Sequence, residues 1–248
     1  MKGIFCCFTY LMAALAMVCG TPGQSGAVKT YVPAQPAVGD TIIFGAYEQD
    51  NDASDGREAI EWIVLDREDN QLLVVSCYAL DCRQYHPEYI DVTWESSDLR
   101  AWMNEDFLNE AFDDDEISRI TVTEMTSEQA ADDSTGADHP AGDRIFLLSG
   151  DELERYYTSN DARRCSATAY AAAQGVYCNS DGYCWWWVRS DCTGDVHIAW
   201  LVDGRGKIYP NGSLVDETNG IRPAMWIHWD EAERSKAASG DKVLKKNR

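Results

Sequence analysis

Residues 41 to 49, TIIFGAYEQ, 61 to 68, EWIVLDRE, and 71 to 80, QLLVVSCYAL, are β-branched and aromatic runs set apart by the polar stretches DNDASDGREA and EDN. That pattern predicts a strand meander beginning near Gly39. The period then changes. Leu99, Trp102, Met103 and Phe107 recur at three-to-four spacing, with Ser97 placed to cap and Asp98 at the positive end of the helix dipole, so a helix is expected over about 98–110. A second short helix is expected after Asp113, Asp114 and Asp115, whose carboxylates can accept from unpaired backbone N–H groups. Residues 121 to 143 carry no apolar period and read as a long surface loop. RIFLLSGDELERYYTS (144–159) reads as a short strand and then a helix, with Ser149 and Glu152 three apart as in a capping box. TAYAAAQG (168–175) reads as another short helix, closed by Gly175. Strands follow, with turns at DGRG (203–206) and PNG (210–212), and the last is IRPAMWI (221–227).

The run CWWWVRSDC (184–192) is the most unusual segment. In an extended strand Trp185, Trp187 and Arg189 share one face, and Cys184, Trp186 and Val188 the other. Both faces are apolar, so the strand belongs in the middle of a fold, with Trp186 in the core. Trp185 and Trp187 can serve either the core or a pocket floor, where Arg189 would stack on an indole.

Composition sharpens this picture. A chain of 248 residues that is 45% hydrophobic can bury one good-sized core. A net charge of −21 repels phosphate backbones and anionic lipid surfaces, which excludes nucleic acid as a partner. Residues 1–27 read as a signal peptide: Lys2 gives a positive start, and Ile4 to Val18 are apolar but too short to span a membrane. Cleavage near Ser25-Gly26-Ala27 competes with lipid attachment at Cys19 as an N-terminal anchor. Residues 28–38 form a spacer, 39–228 the folded domain and 229–248 a charged, disordered tail. The expected location is secreted or at the cell surface.

Beyond the signal lie Cys77, Cys82, Cys165, Cys178, Cys184 and Cys192, an even set that suits an oxidising compartment. No metal site is expected, because there are no paired CxxC knuckles and His86, His139, His197 and His228 stand apart. An extended chain would put Cys184 and Cys192 about 26 Å apart, far beyond the ~7 Å that a disulfide spans. Cys178 and Cys184 flank NSDGY, with turn chemistry at Asp181-Gly182, and are the favoured pair.

The blocks GAYEQDND…EWIVLD, YALDC, VTWESSDLRAWMNEDFLNEAF, RIFLLSGDE, ARRCSATAYAAAQGVY, CWWWVRS and IRPAMWI, in that order, span residues 39–228. They resemble a family of bacterial surface and secreted domains of unknown function whose members close with WWLRSPG and VRPALWI segments. That family is similar in pattern to the C-type-lectin-like fold in its broad form, which includes the formylglycine-generating enzyme and the variable proteins of diversity-generating retroelements. The resemblance implies a single α+β domain, with first and last strands paired and long loops over a small twisted sheet. One departure is RSDCTG where the family has RSPG, which places Cys192 at a turn position.

In such relatives the ligand face is built from the late loops and strands. The candidate binding residues here are therefore Trp187, Arg189, Trp200, Asp203, Tyr209 and Asn211. Against them stand structural roles: Trp200 lies in the apolar HIAWLV, and Tyr209 adjoins a turn. The Glu-Pro-Asn and Trp-Asn-Asp motifs of calcium-dependent sugar lectins are absent. Asp50, Asp52, Ser54 and Asp55, with Glu61 in twelfth position, approach a calcium-loop pattern, but Gly56 falls one place late and strands flank it, so a solvated hairpin loop is expected. Ser190-Asp191 lacks a nucleophile elbow. The expectation is an exported, cofactor-free binding module for an extracellular glycan, peptide or cell-wall fragment, with no catalytic residues. The alternatives are an oxidase like the formylglycine-generating enzyme, or a retroelement-diversified receptor, for which asparagines are scarce, only Asn211 and Asn219 lying in the last strands.

Overall fold

The computed structural model describes residues 36–124, 142–192 and 195–229. The signal, the Cys19 anchor position, most of the spacer, residues 125–141 of the polar loop, the tail beyond Trp229 and the Cys192 side chain lie outside what is described. The described chain is α+β, with two sheets and several short helices.

The expected meander forms the first sheet: β1 (Thr41–Tyr47), β2 (Glu58–Glu68) and β3 (Gln71–Ser76) pair antiparallel in sequence order. Leu72 to Val75 are buried on both faces of β3, so this strand needs a neighbour on each side. It finds β2 on one side and the last strand, β9 (Ala224–His228), on the other. β1 instead alternates, Ile42 and Phe44 inward and Ile43 outward, as an edge strand does. The implied pairing of first and last strands therefore does not occur: β1 and β9 are opposite edges of one sheet. At Gly45 (φ 70°) the β1–β2 register slips, and the Phe112 ring lies 2.5 Å from where a Cβ would stand.

The second sheet has the order β4 (Asp81–Gln84), β8 (Thr218–Ile221), β5 (Trp186–Cys192), β6 (Asp195–Val202), β7 (Ile208–Leu214). The tryptophan strand β5 is its central member. Its parallel contact with β8, at Trp186 and Gly220, is an exception among antiparallel pairings. Trp186 and Trp187 are both fully buried, whereas Trp185, just before the strand, is 36% exposed.

After β4, α1 (Asp98–Trp102) passes through a π turn (Met103–Phe107) into α2 (Leu108–Ala111). Leu99, Met103, Phe107 and Leu108 are buried, and Ser97 accepts from the Arg100 amide as the pattern implied. Capping boxes start α3 (Asp114–Arg119) at Asp113/Glu116 and α4 (Gly150–Tyr156) at Ser149/Glu152. α5 (Asn160–Arg163) and α6 (Ala169–Ala173) complete the set, and Gly175 (φ 99°) follows α6 in the left-handed conformation.

Three local expectations change. The strand expected at RIF is reduced to one bridge, Phe146 to Ala224. PNG is no turn: Pro210, Asn211 and Gly212 lie within β7, an edge strand that tolerates a missing N–H, and Gly212 packs against the Ala199 carbonyl where the β6–β7 register slips. Packing also continues past residue 228, since the Trp229 side chain is buried and its amide donates to the Asn70 carbonyl.

Deleting the Trp186 ring should lower stability by about 3–5 kcal/mol, while Trp185→Ala should change it by less than about 1 kcal/mol. Urea unfolding followed by circular dichroism measures both, and equal losses would contradict the core assignment of Trp186.

Candidate functional site

The six candidate binding residues are not brought together on one open face. Trp187 is fully buried; its indole N–H donates to the Arg83 carbonyl at 2.9 Å, and its ring meets Tyr85 edge-on at 5.5 Å. It is a framework residue, since its ring and its indole N–H are both committed inside the fold. Arg189 is also committed: its guanidinium forms a two-pronged pair with Glu152 of α4, donates to the Leu147 carbonyl and lies over Phe146, locking α4 to β5. It stacks on no indole of the run and lines no pocket floor. Trp200 is half-buried, and its ring lies against Gly150, where an added Cβ would meet it at 2.4 Å.

Asp203 is buried and organises the turn between β6 and β7. Its carboxylate accepts from the Arg205 and Lys207 amides at 2.8 and 3.0 Å and from the Arg205 guanidinium at 2.8 Å. Burial pushes this carboxyl up, but those donors together outweigh it and hold the group below its ordinary value. Asp203 is therefore a turn residue rather than a ligand contact. Tyr209 and Asn211 remain exposed on β7, with the Lys207 ammonium 5.2 Å from the Tyr209 ring centre.

Exposed aromatic surface lies elsewhere as well. Tyr177 (59% exposed) and Trp185 (36%) meet edge-to-face at 5.2 Å, held opposite each other by the bond from the Trp185 amide to the Tyr177 carbonyl. Tyr89 stacks on His197 at 4.5 Å, and the His197 Nδ1 lies 3.2 Å from Asp91. Sequence reading missed Tyr177, set between Val176 and Cys178, and Tyr89, next to Ile90, because nothing local marks either ring as exposed. His86 lies 2.8 Å from Asp98, and His228 ends β9 in an exposed position.

In the β1–β2 loop, carboxylates of Glu48, Asp50 and Glu58 approach within 4.8 Å of one another, not the Asp50, Asp52, Ser54, Asp55 and Glu61 set. Glu61 sits in β2 opposite Ile43, and Asp52 is spent on the Ser54 amide and hydroxyl. Glu58 accepts from the Gln49 and Asp50 amides, and burial raises its carboxyl above the ordinary value despite them. This network closes the hairpin loop on itself.

No disulfide joins Cys77, Cys82, Cys165, Cys178 and Cys184. Cys178 and Cys184 do face each other across an antiparallel bridge, and Cys82 sits in β4 with burial pushing its thiol up to about 11.

A family model described as domain of unknown function (DUF6273) matches residues 69–229. No curated protein and no solved structure matches the chain.

Replacing the turn-organising carboxylate, Asp203→Asn, should destabilise the protein by about 1–3 kcal/mol at neutral pH. Because the folded carboxyl titrates below its ordinary value, the stabilisation it gives is complete above that value and fades as pH falls through the folded one. The gap between wild type and variant, read from denaturation midpoints, should therefore narrow only in strong acid; a gap that is already closed at pH 5 would contradict this.

Proposed function

We propose that this chain, which belongs to the DUF6273 family of domains of unknown function, is an exported module that binds glycans or glycan-bearing cell-wall fragments noncovalently. The observation that carries the proposal is the Tyr177–Trp185 pair: two large rings left open to solvent, yet fixed in mutual orientation by a hydrogen-bonded hairpin. A sugar ring offers an apolar C–H face with a polar rim, and amphipathic aromatic rings held rigid meet it with little loss of side-chain entropy. Tyr209 beside Lys207, with Asn211 two residues on, adds a second aromatic and polar group. A net charge of −21 favours neutral or basic ligands over anionic polymers.

The C-type-lectin-like character of the scaffold is part of the same reading. It is supported by the ordered sequence blocks and by a last strand that returns to the sheet opened by the first, although the two are not neighbours. Export is supported by the apolar N-terminal stretch and the cysteine count.

A glycan and peptidoglycan-fragment array probed with the purified chain should give hits that weaken at least tenfold in a Tyr177→Ala/Trp185→Ala double variant of unchanged circular dichroism. Tyr209→Ala should weaken them less. Hits that survive the double variant, or that come only from peptides, would sink the glycan reading.

A further inference from the structure

The hairpin that presents Tyr177 and Trp185 also places three cysteines in a row. Asn179 is its keystone: its side-chain oxygen accepts from the Asp181 and Tyr183 amides, both at 3.0 Å, and its side-chain nitrogen donates to the Gly204 carbonyl at 2.8 Å. The strands flanking that turn are joined by bonds from the Asn179 amide to the Tyr183 carbonyl and from the Trp185 amide to the Tyr177 carbonyl. Those two bonds bracket Cys178 and Cys184 and make them a non-hydrogen-bonded antiparallel pair, the closer of the two kinds, with Cα atoms about 4.5 Å apart. That separation lies within the ~4.4–6.8 Å that disulfides span.

On its other side Cys184 meets Cys165. The Cys184 amide donates to the Cys165 carbonyl at 2.8 Å and Ser166 bridges antiparallel to Tyr183, which sets Cys165 and Cys184 opposite each other. Cys165 and Cys184 are buried, while Cys178 is half-exposed. The three sulfurs do not all come within 4.8 Å of one another. A thiolate-bound zinc would need them mutually about 3.8 Å apart. A line of thiols with a shared middle member suits exchange and not chelation.

We propose that Cys178, Cys184 and Cys165 form a thiol–disulfide exchange site in which Cys184 is the shared partner, bonded to Cys178 at the surface or to Cys165 in the interior. The reaction begins at Cys178, the sulfur that solvent can reach. The hydrogen bond from Cys184 lowers its thiol to about 7 in spite of partial burial, so a thiolate is present at neutral pH. The Cys178 thiolate attacks one sulfur of an external disulfide; that S–S bond breaks, a mixed disulfide forms, and the displaced thiolate leaves and takes a proton. Cys184 then loses its proton and attacks the Cys178 sulfur, expelling the second external thiol. In total two protein thiols are oxidised to one disulfide, and one external disulfide is reduced to two thiols. Attack by the Cys165 thiolate on the Cys184 sulfur moves the bond inward, with no net redox change, and returns Cys178 as a thiol. Cys184 enters only as this second attacker, because its neighbouring thiols and burial hold its own proton tightly. The site does not depend on what the aromatic pair binds.

The test uses the full chain, first reduced and then equilibrated with reduced and oxidised glutathione at pH 7.5, quenched with N-ethylmaleimide in acid and mapped by mass spectrometry without reduction. Wild type should show the Cys178–Cys184 linkage together with Cys165–Cys184; Cys165→Ser should show only the first, and neither should form in Cys178→Ser, which lacks the thiol that starts the reaction, or in Cys184→Ser. Iodoacetamide should label Cys178 at pH 7 at least tenfold faster than Cys82. Intrinsic tryptophan fluorescence of each reduced variant checks that the fold persists. The proposal is overturned if all three cysteines of folded wild type stay alkylatable in the oxidising buffer. It is equally overturned if Cys178 or Cys184 pairs with Cys77, Cys82 or Cys192, or if one zinc ion binds the reduced wild type and requires all three thiols.

Discussion

A guanidinium at 1% exposure has lost its water, and Arg222 shows how that loss is offset here. Its Nε donates to the Ser76 carbonyl at 3.0 Å, at the end of β3, and its charged plane lies 5.0 Å from the Trp186 ring centre and 5.7 Å from that of Tyr157. One side chain thereby ties the first sheet, the central strand of the second and the end of α4. The next residue, Pro223, accepts from the Ser76 amide as the chain leaves β8 for β9. If this crossing failed, β3 would lose its second neighbour and expose the apolar edge that β9 covers. Trp186 is thus more than bulk in a core, since it also supplies the π face against which a buried cation is tolerated.

Two buried carboxylates repeat the logic at smaller scale. Asp81 accepts from the Tyr47 hydroxyl at 2.8 Å and from its neighbours Cys82 and Arg83, which joins β1 of one sheet to β4 of the other. Asp143 accepts from the Trp94 indole and the Arg100 guanidinium, which fixes α1 against the chain entering α4. Burial raises the Asp143 carboxyl above its ordinary value even so, the mark of a charge kept for placement more than for net stability. Most of the acidic residues among those described lie in water, but the layers are joined through these few.

The outer hairpin from Tyr177 to Trp185 stands apart from that framework. It is short, turned by Asn179, and carries exposed aromatic rings on one pair of positions and, on the next, two cysteines, Cys184 buried and Cys178 half-exposed. Because residues in paired strands alternate faces, a bond made between the sulfurs acts on the same backbone that fixes the rings. The proposed recognition and the proposed thiol chemistry would therefore share a scaffold without sharing side chains.

Periodicity alone gave the β1–β3 meander, the capped helices at Ser97, Asp113 and Ser149, and the interior position of the tryptophan strand, because those depend on neighbours within a few residues. Even the proximity of Cys178 and Cys184 was legible, through the turn residues between them. Sequence could not decide which strand lies beside which: β9 pairs with β3 rather than β1, and Pro210 to Gly212 continue an edge strand instead of turning, since those outcomes depend on partners far along the chain. Nor could it show that Trp187, Arg189 and Asp203 are already occupied by Arg83, Glu152 and the Arg205 turn, or that Cys165 completes a row with Cys184. A side chain's chemistry is written in its own codon, but its availability is set by whatever the folded chain brings within a few ångströms of it.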